Sequence, residues 1–145
     1  MQCPVCESRE TRHFERIENR VYWRCNRCEA TFLDPAQRPS AEEEQAQYRL
    51  HNNEINDAGY RQFLARLAEP LLQRLQPGSK GLDYGCGPGP ALADMLSKAG
   101  HCMTLYDPLF FPETTALQSR YDFITCTEVV EHFHQPAQEF RRLDQ

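Results

Sequence analysis

The chain has 145 residues, of which 40% are apolar and 26% charged, with a net charge of −5. Those values exclude a collagen-like or disordered chain, and no apolar run approaches the roughly 18 residues of a membrane span. The start, "MQCPVCESRE", carries neither a basic n-region nor an apolar h-region, so a cytoplasmic chain without an export signal is expected.

Charge is spread evenly at first. Residues 1–34 hold six Arg and six acids, residues 35–76 five Arg and six acids, and residues 77–145 five basic and nine acidic residues. No segment has the basic footprint of a nucleic-acid binder, so nucleic acid is not the expected partner.

The first unit spans residues 1–34. Cys3-Pro-Val-Cys6 and Cys25-Asn-Arg-Cys28 are separated by eighteen residues, the spacing of a zinc ribbon. Between them, "HFERI" and "VYWRC" read as two strands joined by a turn at Glu18-Asn19-Arg20. Two knuckles can bring Cys3, Cys6, Cys25 and Cys28 to one tetrahedral ion, a structural zinc with no open position. So small a unit has little core, so the metal would supply much of its folding energy. Two disulfides, or iron on the same thiolates, are the competing readings.

Residues 35–56 are polar, with two prolines and an acidic run, and read as a linker with a short helix capped by Ser40. From Asp57, the residues Tyr60, Phe63, Leu64, Leu67, Ala68, Leu71, Leu72 and Leu75 follow helical spacing and predict one apolar face. Pro70 is expected to kink or divide this helix, and Pro77-Gly78 to end it.

"GLDYG" (81–85), "CMTLYDP" (102–108) and "YDFITCT" (121–127) read as strands. A helix carrying Leu92, Met95, Leu96 and Ala99, stopped by Gly100, separates the first two, and Pro136 opens a last helix with Phe140 and Leu143. Strand–helix–strand alternation implies a parallel sheet.

The loop "GLDYGCGPGPAL" alternates Gly85, Gly87 and Gly89. A dinucleotide fingerprint requires Gly or Ala at position 90, which is Pro, and no Gly-Lys-Ser/Thr follows as in a P-loop. Asp83 precedes the first glycine by two residues, and Asp107 lies 22 positions after Gly85 at the end of the next strand. A carboxylate there suits ribose hydroxyls. The residues therefore point to an adenosine-containing ligand that is not a typical dinucleotide, although a glycine can merely mark a turn and Asp107 can cap a loop.

"GLDYGCGPGPAL", "YDP" and "YDFITCTEVVEHF" together resemble the class I S-adenosylmethionine-dependent methyltransferases, nearest to the subgroup like ubiquinone-biosynthesis O-methyltransferases. "CPVC…CNRCEATFLDP" resembles the zinc-ribbon leader of many bacterial methyltransferases. The resemblance implies an α/β fold: an N-terminal zinc ribbon followed by a partial Rossmann-like parallel sheet with flanking helices. The expected division is 1–34 ribbon, 35–56 linker and 57–145 the N-terminal part of a methyltransferase domain. It further implies that Gly85, Gly87 and Gly89 approach the methionine and ribose of the cofactor, that Asp83 orders the loop, and that Asp107 takes the ribose hydroxyls. Thr127 and Glu128 would line the cofactor near its sulfonium.

Two departures stand out. Only fourteen residues (108–121) separate Asp107 from Asp122, too few for the usual helix and third strand, so no adenine-recognising acid can be located. The chain also stops one helix after "EVVEHF", where the family continues, so a fragment of a longer protein is expected.

Where the acceptor must lose a proton, Glu131 and His132 are the candidate bases. If "EVVEHF" begins a helix, Glu128, Glu131 and His132 share one face and could hold a divalent cation; ordering of the turn explains them as well. Cys86, Cys102 and Cys126 read as small core residues. The expected activity is methyl transfer to a small-molecule or glycan-precursor acceptor. An RNA methyltransferase, and a non-catalytic ribbon module with a vestigial loop, are the alternatives. The residues are silent on oligomeric state.

Overall fold

The computed structural model describes residues 1–40, 43 and 55–144. They form two compact units, one from Met1–His51 with Phe133–Gln145 and the other from Asn52–His132. Most of the expected linker lies outside the described residues. At its start, Ser40 and Glu43 exchange hydrogen bonds: the Glu43 amide donates to Ser40 Oγ at 3.2 Å, and the Ser40 amide to Glu43 Oε2 at 2.7 Å. This is the capping-box pattern of a helix start.

The first unit is an antiparallel sheet in the order β1 (Thr11–Ile17), β2 (Arg20–Cys25), β3 (Thr31–Leu33). Ile17 pairs with Arg20 around a tight turn in which Glu18 takes φ 53°. β3 had no signal of its own, since three residues are too few to show alternation. It is held by pairing with β2, which sets Phe32 beside Trp23. A small core of Cys3, Cys25 and Phe32 gathers Val5, Cys6, Trp23 and Ala30. Beyond β3, Asp34 caps a short 3₁₀ turn at Pro35–Gln37 and accepts the Trp23 indole N–H at 3.1 Å. The unit is completed by α3, the helix Pro136–Leu143, whose first residue Pro136 costs no hydrogen bond at that position.

The second unit is a parallel sheet in the order β5 (Cys102–Tyr106), β4 (Lys80–Tyr84), β6 (Phe123–Thr125). Central β4 is buried from Gly81 onward, as its apolar run requires. Gly81 is the residue that fits here: a Cβ would lie 2.3 Å from the Phe123 ring and 2.7 Å from Met103 Sδ. Among the described residues, no strand pairs with the outer edges of β5 and β6.

Two helices, α1 (Ala58–Leu72) and α2 (Ala91–Lys98), share a core of Leu64, Ala68, Ala91, Leu92 and Leu96. The apolar face of α1 is narrower than its periodicity predicts. Leu64 and Ala68 are buried, whereas Phe63 and Leu67 are 41% and 40% exposed. Pro70 does not divide α1; it falls in the last turn, and the helix ends two residues later. Arg61 ties the two helices, reaching Asp94 Oδ2 and the Ile55 carbonyl at 2.8 and 3.0 Å. At the end of α2, Gly100 (φ +95°) donates to the Ser97 carbonyl and His101 to the Leu96 carbonyl. That paired pattern is a Schellman cap.

Between β5 and β6 stand only a bridge of Asp107 with Phe111 and a 3₁₀ turn at Thr114–Gln118, in keeping with the shortness of this connection. Among the described residues, no helix is long and apolar enough to cross a membrane.

Candidate functional site

The glycine loop leaves the carboxyl end of β4 beside the end of β5, the position where open parallel sheets bind ligands. Gly85 and Gly87 take φ values of +75° and +64°, a region L-residues rarely enter. They do so for different reasons. A Cβ on Gly85 would lie 2.5 Å from Val129, so this residue is needed for packing against the segment after β6. A Cβ on Gly87 would meet nothing within 4 Å, so its backbone faces open space. Gly89 lies outside the left-handed region; its carbonyl accepts the Ala91 amide at 2.7 Å.

Asp107, 8% exposed, organises this loop from the next strand. Its Oδ2 accepts the Gly87 amide at 3.0 Å, and Oδ1 accepts the amides of Leu109 and Phe110 at 2.9 and 3.1 Å. Each carboxylate oxygen can accept twice, so Oδ2 retains capacity for a hydroxyl donor. The Gly85 and Cys86 amides donate to the Tyr106 carbonyl at 2.7 and 3.2 Å, and the Tyr84 and Tyr106 rings lie 5.1 Å apart. These contacts hold the loop against the ends of β4 and β5.

Asp83 sits beneath it, 4% exposed. Burial raises its pKa; opposing this, Thr125 Oγ1 donates to Oδ1 at 2.7 Å and the Ala93 amide also donates. Pro90, at the start of α2, offers no capping side chain. Asp83 therefore satisfies an amide of the first turn of α2, a cap supplied from the strand below. The same burial, with the carboxylates of Asp83 and Asp107, pushes the Cys86 thiol up to about 12, which removes it as a nucleophile. Cys102, read as a small core residue, is instead exposed at the first position of β5.

The segment after β6 supplies the other candidate residues. Thr127 Oγ1 is buried and has no hydrogen-bond partner among the described residues. Glu128 adopts φ +56°, a strained value for a residue with a Cβ. Glu131 and His132 fall in a 3₁₀ turn, Val130–His132. Since Glu128 is left-handed and the turn is only three residues long, Glu128, Glu131 and His132 do not share a helical face. Among the described residues, they form no cluster able to hold a metal ion.

The residues fit an S-adenosylmethionine-type ligand in three respects: open space over the Gly87 backbone, a carboxylate at the end of β5, and an unpaired buried hydroxyl at Thr127.

In the first unit, the sulfurs of Cys3, Cys6, Cys25 and Cys28 all lie within 4.8 Å of one another. Cys3 and Cys28, like Cys6 and Cys25, are 3.6 Å apart, and no disulfide joins any of the cysteines. A disulfide would need about 2.05 Å. A tetrahedral zinc with bonds of about 2.3 Å sets sulfur–sulfur edges near 3.8 Å. The two knuckles repeat one another: the Glu7 amide donates to the Cys3 carbonyl and the Glu29 amide to that of Cys25, with φ 60° and 59°. The Cys28 amide, and the Arg27 amide at 3.4 Å, donate to the Cys25 sulfur and draw its thiol down to about 7, whereas burial raises the thiols of Cys3 and Cys28. The cluster is compatible with a zinc site.

Comparison with known proteins bears on the second half of the chain. A family model described as a methyltransferase domain matches residues 53–145. No curated protein matches the chain. The glycine loop, the carboxylate of β5 and the segment after β6 all fall within the matched residues, and the chain belongs to the methyltransferase-domain family.

Proposed function

We propose that this protein binds S-adenosylmethionine at the carboxyl end of β4 and β5 and transfers its methyl group to a small-molecule or glycan-precursor acceptor. The observation that carries the reading is the Asp107 carboxylate, held at 3.0 Å from the Gly87 amide where that glycine faces open space. In this arrangement the loop backbone would lie against the ligand, and Asp107 would accept a ribose hydroxyl.

When bound, S-adenosylmethionine supplies an electrophilic methyl on a sulfonium. The chain's part is mainly alignment, since in-line displacement is accelerated by holding the reacting atoms in register. Gly87 lets the backbone approach, Gly85 makes room for Val129 beneath it, Gly89 leads into α2, Asp83 fixes β4 to α2, and Thr127 offers its unpaired hydroxyl beside Glu128. Glu131 or His132 takes the acceptor's proton where the acceptor carries one. The nearness to ubiquinone-type O-methyltransferases belongs to this reading, as does a structural zinc on Cys3, Cys6, Cys25 and Cys28.

Calorimetry with S-adenosylhomocysteine is the test. Saturable binding that is weakened by Asp107→Ala is expected. Absence of binding to folded, zinc-loaded protein would sink the reading.

A further inference from the structure

Helix α3 lies inside the family match, and two of its residues, Ala137 and Arg141, meet the first cysteine knuckle. The Ala137 amide donates to the carbonyl of Pro4, which stands between Cys3 and Cys6, at 2.9 Å. Arg141 reaches both carboxylate oxygens of Glu7, at 3.1 and 3.5 Å, and Glu7 is the left-handed residue that closes the same knuckle. Just ahead of α3, Arg38 donates to the His134 carbonyl at 3.2 Å, and the Phe133 and Phe140 rings meet at 5.9 Å.

α3 has eight residues, far below the length at which an isolated helix persists in water. The knuckle belongs to no strand; it is closed by the Cys3 amide on the Ser8 carbonyl, the Glu7 amide on the Cys3 carbonyl and Gln2 Nε2 on the Glu7 carbonyl, and its one wholly buried side chain is Cys3, a candidate metal ligand. An ion on Cys3 and Cys6 would brace the two residues beside them, Pro4 and Glu7, that meet α3.

We propose that metal on the four cysteines acts as a latch for α3, so that metal loss releases Phe133–Leu143, the segment that directly follows the Val130–His132 turn. By linkage, a docked α3 also tightens metal binding. The latch rests on the zinc reading of the cysteine cluster and is independent of the acceptor.

Hydrogen exchange on the full chain, before and after zinc removal by a chelator, tests it. Amides of 136–143 are expected to lose protection together with residues 1–10, while those of α1 and α2 keep theirs. Protection of 136–143 that survives zinc removal, or a loss that extends equally to α1 and α2, overturns the latch. With zinc retained, Glu7→Gln is expected to speed exchange in α3 by about two-fold, the scale of an exposed ion pair. Arg141→Gln is expected to weaken zinc binding, read by competition with a chromophoric chelator, by a similar factor. Wild-type exchange and wild-type zinc affinity in the two variants count against the proposal. A folded chain that takes up no zinc defeats the metal reading itself, whereas zinc uptake without coupling defeats only the latch.

Discussion

Thr125 Oγ1 donates a 2.7 Å hydrogen bond to Asp83 Oδ1 across two strands whose register sets these residues side by side. Both are buried, so the bond supports a carboxylate that water does not reach. Thr125→Val should therefore cost about 1–3 kcal/mol in denaturant unfolding, the penalty for stripping a partner from a buried polar group.

A pH dependence follows from the same carboxylate. Burial raises the pKa of Asp83 in the folded chain, so the folded state binds its proton more readily than the unfolded state. The stability this group contributes is fully present below its unfolded pKa and is lost as pH rises through the folded one. Asp83→Asn lacks this dependence. The stability of wild type relative to Asp83→Asn should accordingly fall across that window and level off above it, which paired unfolding curves at several pH values will show.

The two left-handed glycines should respond differently to a methyl group. Gly85→Ala meets Val129 as well as an unfavourable φ, and should cost about 2 kcal/mol or more. Gly87→Ala meets only the φ penalty, about 1 kcal/mol, yet adds a methyl where the ligand is proposed to lie. A variant at 87 that remains folded but binds S-adenosylhomocysteine at least ten-fold more weakly is the expected calorimetric result.

Trp23 is the chain's single tryptophan, and it packs against the cysteine core with its indole N–H on Asp34. Its fluorescence therefore reports on this unit alone. Chelation of zinc, or Cys25→Ser, should shift its emission to the red and raise its quenching by iodide, because the metal stands in for a core.

Glu29 holds φ +59° and reaches Arg24 only at 3.9 Å, a contact of little worth at an exposed site. Glu29→Gly should stabilise the zinc-loaded unit by about 0.5 kcal/mol, relief of backbone strain outweighing the entropy that glycine adds to the unfolded chain. Slower zinc release than wild type is the readout.

A proton-accepting role for the Val130–His132 turn separates from a structural one by kinetics. Glu131→Gln or His132→Ala should lower kcat about 10²-fold or more when the residue is the base. S-adenosylhomocysteine affinity should stay unchanged. An equal loss in both quantities would point to a collapsed turn.

Much of the fold was legible in short-range pattern. The paired Cys-x-x-Cys motifs, the glycine loop and the helical spacing of α2 each involve residues a few positions apart, so their chemistry is written into consecutive residues. Pro136 opening the last helix and Gly100 closing α2 are of the same kind.

Other features needed the folded chain, because they depend on strand register and on which surfaces meet. Asp83 becomes the cap of α2 only because β4 brings it beneath the first turn, and Asp107 grips the Gly87 amide from twenty residues away. The short strand β3 exists through its partner, and Phe63 and Leu67 on α1 are apolar in spacing yet exposed. Gly85 and Gly87 look alike in the loop. Only packing shows that one makes room for Val129 and the other opens onto the candidate cofactor site. Local spacing prescribes the backbone conformation each segment can adopt, whereas long-range contacts decide which polar group is satisfied and which surface is left for a ligand.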